Sequence, residues 1–305
     1  MNAAQPLISV VLSFRNEADN IPVLVSRLDK MFSAQPVQYE LIFVNDDSTD
    51  QSLAILLKER EKNPRVKIVN MSRRFGVAEG VLAGMTASRG DAVIYMDSDL
   101  QDPPEMIPAM LDRWRQGAEV VHTVRTERRG ESPLKMWATR LAYRVIQSGS
   151  AIELPIDAGD FKLLSRSAIN QLLQVRESDP YLRGLVVWLG FTQVFVPYQR
   201  DARHAGRTHF PFFSKNPWKT FVIGMTSCSF LPIYCCFALA AVGLGWSFFL
   251  LILSGPFFAA LTFFWATTLA AIGGLGIYLI RIYKDVRGRP QFIVKSTIGV
   301  DGRAE

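Results

Sequence analysis

The stretch AVIYMDSDLQDPPE, from Ala92 to Glu105, joins an apolar run directly to a cluster of acidic and amide side chains. Its first five residues, Ala92–Met96, are typical of a buried strand, and Asp97, Asp99 and Gln101 follow where that strand ends. A strand that ends in paired aspartates places hard oxygen ligands at the carboxyl edge of a sheet, where open α/β folds bind their ligands. The stretch therefore predicts a divalent metal site whose task is to neutralise a diphosphate.

A second interpretation of the same stretch is an acidic loop that leads into a helix. Pro103 and Pro104 would then lie near the first helical position, and Glu105 would interact with the positive end of the helix. An Asp-x-Asp pair alone is weak evidence for a metal site, because a chain of this size contains roughly one by chance. The extension of the motif from Leu100 to Glu105 favours the metal site.

Strand-like and helix-like segments alternate on both sides of this stretch. The predicted strands are Leu7–Leu12, Leu41–Val44, Val66–Met71, Ala92–Met96 and Val120–Val124. The predicted helices, which carry apolar residues three and four positions apart, are Asn20–Met31, Gln51–Lys62, Val77–Ala87 and Glu105–Gln116. This order predicts an α/β fold with a mostly parallel, doubly wound sheet.

Polar residues follow three of the predicted strands. Asn16 and Glu17 come after the first strand, the run Asn45–Asp50 after the second, and the aspartates after the fourth. Because the carboxyl ends of parallel strands share one edge of a sheet, we expect these residues to meet there. Capping of the next helix is the alternative role for Ser48 and Asp50.

The first glycine of the chain is Gly76, well after the first predicted strand. A dinucleotide-binding fingerprint and a Lys-containing phosphate loop both need glycines directly after that strand, so neither can be placed here. We therefore expect a nucleotide to be held by side chains and a metal ion.

The basic residues are dispersed among acidic ones, apart from two arginine clusters. These clusters are Arg125, Arg128 and Arg129, and Arg200, Arg203 and Arg207. The net charge of +6 is modest, so no nucleic acid partner is expected. Phosphate groups at a bilayer surface fit the clusters better, and a solvated surface is the alternative role for these arginines.

The C-terminal part of the chain is strongly apolar. The whole chain is 49% hydrophobic, and no Asp, Glu, Lys, Arg or His occurs between Lys219 and Arg281. One helical bilayer crossing needs about 20 apolar residues, so this gap predicts two transmembrane helices, at 230–253 and 256–280. A helical hairpin buried in a soluble core is the alternative.

Basic residues flank both sides of the predicted pair of crossings: Lys215, Lys219, Arg281, Lys284, Arg287 and Arg289. The positive-inside tendency places the N-terminal domain, residues 1–209, and the basic tail, 281–305, in the cytoplasm. The chain is thus expected to be a multi-pass protein of the inner (cytoplasmic) membrane, and no secretory signal is expected.

The segment 210–229 precedes the first predicted crossing and combines aromatic with basic residues. Phe210, Phe212 and Trp218 alternate with Lys215 and Lys219, a composition that favours the membrane interface. We predict a juxtamembrane amphipathic segment here, and packing inside a core is the alternative.

Taken together, these residues resemble family 2 glycosyltransferases with the GT-A fold, of the polyprenyl-phosphate hexose transferase type. That type includes dolichol-phosphate mannose synthases and bactoprenol glucosyltransferases. The resemblance runs nearly from end to end and is carried by Ile8–Val11 with Asn16-Glu17, Val44–Ser48, Asp97–Glu105, Gly159–Phe161, Arg203 with Gly206 and Thr208, Tyr278–Tyr283, and Arg289-Pro290. The aspartate run and the membrane-exit segment are its specific parts.

The resemblance implies roles for individual residues. Mg²⁺ or Mn²⁺ would be held by Asp97, Asp99 and Gln101 against the donor diphosphate. Catalytic roles are implied for Asp160, Asp99 and Arg203, and donor contacts for Glu17, Asp46, Asp97 and Thr208. The phosphate-binding chemistry of arginine adds Arg125 as a catalytic candidate and Arg128 and Arg129 as donor contacts. Of the four arginines, two are expected to clamp phosphates of donor or acceptor, because a planar guanidinium suits phosphate.

Asp160 has more than one expected role. It could act as a base, orient the metal, a sugar hydroxyl or the acceptor, or cap a helix that begins near Ser165. A phosphomonoester has its second pKa near ~6 and is mostly dianionic at neutral pH, so such an acceptor needs little activation. The role of Asp160 as a base is therefore left open.

The implied reaction is an inverting, metal-dependent transfer of a hexose from a nucleotide-diphosphate sugar to a polyisoprenyl phosphate in the lipid bilayer. A UDP-glucose-like donor is favoured, although Arg15, Asp47 and His209 depart from the family pattern around the nucleotide and acceptor, with Asp47 replacing a usual Gly. A metal-dependent nucleotidyltransferase and a non-catalytic membrane scaffold are the alternatives, and assembly into a homo-oligomer is left open.

Overall fold

The computed structural model describes residues 5–125, 158–199, 222–223, 226, 231–253 and 257–300. The first part follows the predicted alternation closely. Its elements are β1 (Leu7–Phe14), α1 (Ile21–Ser33), β2 (Gln38–Asn45), α2 (Ser52–Lys62), β3 (Val66–Met71), α3 (Val77–Ala87), β4 (Ala92–Asp97), α4 (Ile107–Arg115) and β5 (Val120–Arg125). A single 3₁₀ turn, Pro104–Met106, leads into α4, so helix formation begins at the proline pair.

The remaining described elements are four helices and three strands, and the three strands were not predicted from the sequence. They are β6 (Ala158–Ser165), α5 (Arg166–Leu172), α6 (Leu182–Trp188), β7 (Gln193–Tyr198), α7 (Leu231–Leu253), α8 (Phe257–Val286) and β8 (Val294–Ile298). Strand β6 lacks the apolar pattern of a buried strand because it carries the charged residues Asp160 and Lys162, and Lys162 occupies a buried position that an apolar side chain normally fills.

The eight described strands form one sheet in the order β7-β5-β6-β4-β1-β2-β3-β8. Strands β3, β2, β1 and β4 are parallel neighbours, as the sequence predicted. The prediction of a mostly parallel sheet needs correction beyond β4, because β6 lies antiparallel between β4 and β5 and β8 lies antiparallel against β3. The sheet is therefore mixed, with its parallel part at the centre.

Two apolar cores cover the two faces of the sheet, which confirms helices on both sides. One face packs against α1, α2 and α4, through residues such as Leu24, Leu56 and Met110. The other packs against α3, α5 and α6, through residues such as Leu82 and Ile169. Burial on both faces explains why the central strands are continuous apolar runs.

Helices α7 and α8 lie where the two crossings were predicted. They approach closely: a Cβ added to Gly274 would lie 2.4 Å from Cys236 Sγ, and one added to Gly243 would lie 3.0 Å from Thr267 Oγ1. Small residues commonly allow such approach between helices in a membrane. By length and apolar composition, Phe263–Val286 is the one candidate span among the described residues, and the apolar helix Ile233–Trp246 is shorter. Two crossings therefore remain a prediction.

The segment after α8 returns to the N-terminal sheet. Strand β8 pairs with β3, and the Ser296 hydroxyl accepts the Asn70 side-chain amide at 3.1 Å. Part of the predicted tail 281–305 thus contributes an edge strand, while the predicted domain limits remain predictions. The amphipathic segment predicted at 210–229 lies almost wholly outside the described residues.

Candidate active site

The aspartate loop lies at the end of β4, a central strand of the sheet. Asp97 is the last residue of β4 and stands in register with Ser13 of β1. Asp99 is 7% exposed, and its Oδ1 accepts the Gln101 backbone amide at 3.2 Å. Leu100 has a φ of 60°, a backbone conformation that residues other than glycine rarely adopt. Such strain is common at functional loops and indicates that the surrounding structure fixes this turn.

The donor set of this loop fits a divalent metal that is bound together with a substrate. Among the residues that the structure describes, no group of three or more His, Cys, Asp or Glu side chains is placed to hold a metal by itself. Mg²⁺ is usually bound by one or two carboxylates plus substrate phosphates and keeps several waters. The carboxylates of Asp97 and Asp99, with the amide of Gln101, match that pattern.

Asp102 differs from the two preceding aspartates because it is fully buried. Its Oδ1 accepts the hydroxyl of Tyr198 in β7 at 2.6 Å, and that hydroxyl accepts Nε–H of Arg125 in β5 at 3.2 Å. Burial raises the pKa of Tyr198 and the Asp102 carboxylate raises it further, so the hydroxyl remains a donor. This relay ties the aspartate loop to β5 and β7 and fixes Arg125 near the loop.

The loop after β1 is joined to the loop after β2. The backbone amide of Asn16 donates to Ser48 Oγ at 3.1 Å, and the Thr49 amide donates to Asn16 Oδ1 at 2.8 Å. The Glu17 amide donates to Ser52 Oγ at 2.8 Å, and the Glu17 side chain is buried. Ser48 thus bridges two loops and does not cap α2, which corrects the alternative role considered for it.

Asp46 holds a third loop at the same edge. Its side chain is buried, and its two oxygens accept the backbone amides of Phe75 at 2.7 Å and Gly76 at 3.1 Å. The next residue, Asp47, has a φ of 58°. A left-handed backbone suits glycine best, and aspartate is among the other residues that tolerate it best.

Asp160 lies on β6, beside the end of β4. Lys162 stands in register with Tyr95, which places Asp160 two residues further along, toward Asp97. Arg183 in the first turn of α6 holds the carboxylate with two hydrogen bonds, from Nε to Oδ1 at 2.8 Å and from Nη2 to Oδ2 at 2.5 Å. Asp160 therefore does not cap a helix: α5 is capped by Ser165, whose Oγ accepts the Ala168 amide.

Cations dominate the surroundings of Asp160. Burial opposes its ionisation, but Arg183, Lys162 and Arg125 outweigh that effect and hold the pKa of Asp160 well below its usual range. The backbone of Gly159 permits the close approach of Arg125, because an added Cβ would lie 3.0 Å from Arg125 Nη2. The structure thus brings Asp160 and Arg125 together.

Sequence reasoning missed Arg183 and Lys162. Lys162 is 1% exposed, and burial lowers its pKa to about 8 in spite of the attraction of Asp160. His122 lies opposite Lys162 on β5; its burial, together with the Lys162 cation, lowers the pKa of His122 to about 4. The signal for Lys162 was its place two residues after Asp160 in Gly-Asp-Phe-Lys, whereas nothing in the local sequence pointed to Arg183.

The structure gathers Glu17, Asp46, Asp97 and Asp99 at the carboxyl edge of adjacent parallel strands. Asp160 and Arg125 lie at the same edge, on β6 and β5. Arg128, Arg129, Arg203 and Thr208 lie outside the described residues. The roles assigned to all of these residues remain predictions.

Comparisons with known proteins show which family the chain belongs to. The sequence profile of glycosyl transferase family 2 matches residues 9–173. A Bacillus subtilis (strain 168) protein, named as the uncharacterized glycosyltransferase YkcC, is 36% identical over 97% of this chain and 95% of its own. The bactoprenol glucosyl transferase of Shigella phage SfII is 30% identical over 95% of this chain and 98% of its own.

A solved structure shares the fold. The crystal structure of glucosyl-3-phosphoglycerate synthase from Mycobacterium tuberculosis, in complex with Mg²⁺ and uridine-diphosphate, has a TM-score of 0.51 and 20% identity. The match covers 72% of this chain and 79% of the other.

The mixed α/β sheet and these matches define the class of protein: the chain is a glycosyltransferase with a GT-A-like fold. Within that class, the chain belongs to glycosyltransferase family 2.

Proposed function

We propose that the protein transfers a hexose from a nucleotide-diphosphate sugar, UDP-glucose or a similar donor, to a polyisoprenyl phosphate, with inversion at the anomeric carbon and with Mg²⁺ or Mn²⁺ bound. The observation that carries this proposal is the convergence of Asp97, Asp99 and the Asp160–Arg183 pair on the edge where β4 meets β6. A full-length relative named bactoprenol glucosyl transferase supports the choice of acceptor.

The donor would lie across the loops that follow β1, β2 and β4. Glu17 and Asp46 would contact the nucleoside, and Asp46 would also keep the loop at Phe75 and Gly76 in place. The hydrogen bonds that Asn16 makes with Ser48 and Thr49 fix this surface before the donor binds, which reduces the entropic cost of binding.

Asp97, Asp99 and Gln101 would hold the metal. When bound, a divalent cation acts as a Lewis acid and stabilises the negative charge that develops on the departing nucleoside diphosphate. The strained turn at Leu100 would orient the side chains of this loop toward the metal.

Asp160 would orient reactants and would not accept a proton. Because Arg183 and its neighbours hold the pKa of Asp160 so low, the carboxylate is ionised at neutral pH but is a weak base. A polyisoprenyl phosphate needs no strong base, since its phosphate is already mostly dianionic. Asp160 together with Arg183 and Arg125 would place that phosphate for attack on the anomeric carbon.

The acceptor's lipid tail supplies a reason for the apolar helices. Helices α7 and α8 would cross the bilayer as a hairpin and keep the sheet domain at the cytoplasmic face of the membrane, next to the acceptor phosphate. The exposure of large side chains such as Phe237, Trp265 and Leu269 agrees with contact to lipid.

The test is transfer by the purified full-length protein in detergent, with Mg²⁺ or Mn²⁺, a polyprenyl phosphate and a panel of labelled nucleotide sugars. We expect a labelled lipid product from one donor and loss of more than about 100-fold of the rate in Asp99→Ala. Asp112→Ala, an exposed carboxylate on α4, is the matched control and should retain full activity. No transfer from any donor, or full activity in Asp99→Ala, would refute the proposal.

A further inference from the structure

The last turns of α8 contact one loop of the N-terminal domain. Arg281, Lys284 and Asp285 follow one another at the i, i+3 and i+4 positions of the helix, so they share one face. The loop, residues 173–181, connects α5 to α6.

Three successive residues of this loop are each held by one residue of that helix face. The contacts are Arg281 Nη2 to Glu177 Oε2 at 2.8 Å, Lys284 Nζ to Asp179 Oδ2 at 2.7 Å, and the Ser178 amide to Asp285 Oδ1 at 2.8 Å. Gln291, just beyond the helix, adds a bond from Nε2 to the Glu177 carbonyl oxygen at 2.6 Å. We call this set of contacts the α8 clamp.

The α8 clamp is more than a surface ion pair. The side chains of Arg281 and Glu177 are 15% and 27% exposed, so water screens their interaction less than that of an exposed pair. Arg281 also donates to Thr226 Oγ1 at 2.8 Å, which fixes its guanidinium from a second side. Side-chain and backbone contacts on three adjacent residues together define the position of the loop.

Few residues, with little conformational freedom, separate the α8 clamp from Arg183, the partner of Asp160. Pro180 and Tyr181 directly follow Asp179 and are buried, and proline restricts the backbone. The Tyr181 carbonyl oxygen accepts the amides of Gly184 and Leu185, each at 2.9 Å, and so starts α6. Arg183, in this first turn, makes the two hydrogen bonds to Asp160.

We propose that Glu177 and Asp179 are positioning residues for hexose transfer. By docking on α8 they set the place of α6, and thereby the place of Arg183 and Asp160, so that the site is complete only when the apolar helix is seated. This inference rests on the proposed function and adds to it a link between the helix end and the reacting groups. The alternative hypothesis is that the loop docks on α8 without any effect on the position of Arg183 and Asp160.

The experiment compares full-length variants in detergent and in lipid nanodiscs under the transfer assay described above. Glu177→Ala combined with Asp179→Ala should lower kcat about tenfold while the KM values for donor and acceptor change less than about twofold, because misplacement of a reacting group affects the transition state. Glu59→Gln removes an exposed i,i+3 pair with Lys62 and is the matched control, expected at wild-type kcat.

Three further measurements separate a positioning role from simple loss of stability. The double variant Asp179→Lys with Lys284→Asp restores the ion pair with its charges exchanged. Its kcat should lie within about twofold of the wild-type value. When Arg183→Lys is combined with the Glu177→Ala and Asp179→Ala changes, the total loss should be smaller than the product of the separate losses, because both act through Arg183. Amide hydrogen exchange of α6 should rise in the loop variant in either membrane mimic.

The outcomes are distinct. If the wild type makes no lipid-linked hexose, the proposed function fails, and the exchange rates of α6 still report on the α8 clamp. If the wild type is active and the loop variant keeps full kcat, or if its loss multiplies with that of Arg183→Lys, the positioning role is wrong.

Discussion

The two ends of the central parallel strands satisfy their polar residues in different ways. At the amino end, Glu40 of β2 is 3% exposed and its carboxylate is fully engaged. It accepts the Ser9 hydroxyl at 2.5 Å, the Arg89 amide at 2.8 Å and Lys67 Nζ at 2.6 Å. This end has ordinary turns and a neutralised charge.

At the carboxyl end, strain and excess charge are concentrated. Asn16, Asp47 and Leu100 follow β1, β2 and β4 and have φ angles of 58°, 58° and 60°. Strained backbone persists only where the surrounding structure holds it, and it is common where a ligand binds. The amino end therefore stabilises the sheet, and we expect the strained backbone of the carboxyl end to serve ligand binding.

The largest effect on stability is expected at the amino end. Glu40→Ala would leave the Lys67 ammonium, which is 14% exposed, without its carboxylate, and should lower the free energy of unfolding by about 3–5 kcal/mol. Thermal and denaturant unfolding in detergent would measure this loss. The kcat of the remaining folded protein should be unchanged; a lower kcat at normal stability would contradict the division between the two ends.

The next largest effect should fall on activity, at the carboxyl end. Arg183→Met removes both hydrogen bonds to Asp160, and we expect kcat to fall about 100-fold, which corresponds to about 2.7 kcal/mol. Arg113→Met, at an exposed arginine on α4, is the control. Steady-state kinetics with donor and acceptor, alongside the melting temperature, would test this, and equal losses in both variants would disprove it.

A fall in pH should weaken the amino end of the central strands. Burial raises the pKa of Glu40, but Lys67, Ser9 and Arg89 outweigh it, so the pKa lies below the ordinary value of 4.5. A depressed pKa means that the stabilisation is complete above pH 4.5 and declines as the pH falls through the folded value. The difference in melting temperature between the wild type and Glu40→Gln should therefore shrink in acid, and a constant difference would argue against this role.

The smallest effect on stability is expected from substitutions at Asp47, where the backbone is strained. Asp47→Ala places a residue without a local hydrogen-bonding group at a φ of 58° and should cost about 1 kcal/mol of stability. Asp47→Gly should be neutral or stabilising by a few tenths of a kcal/mol, because glycine adopts this conformation freely. Unfolding midpoints of the two variants would show the order, and a more stable alanine variant would contradict the strained backbone.

Local sequence predicted well which residues meet at the carboxyl edge of the parallel strands. The strand Val66–Met71 and the helix Val77–Ala87 were predicted at their observed bounds. The other predicted elements from β1 to β5 differ from the observed ones only at their ends. Glu17, Asp46, Asp97 and Asp99 could be placed at one edge because each follows a strand of the parallel centre. Topology alone brings such residues together.

The other half of the site could not be predicted from local patterns. Strand β6 carries the charged residues Asp160 and Lys162 on one face, and its antiparallel place between β4 and β5 is set by pairing with strands distant in sequence. The partner of Asp160 lies 23 positions away on a short helix, and a single arginine in seven helical residues has no periodic signature. Asp160 was therefore identified by family resemblance, but its ion pair was not.

The sequence by itself determined the alternation of strands and helices, the aspartate loop and the apolar C-terminal helices, because hydrophobic periodicity and composition act over a few neighbouring residues. Only the tertiary structure decided that Arg183 holds Asp160, that Asp102 joins Tyr198 and Arg125, and that the end of α8 docks on residues 177–179. Those contacts depend on which polar and charged groups face one another after the cores have packed, and the local sequence does not mark these groups as partners.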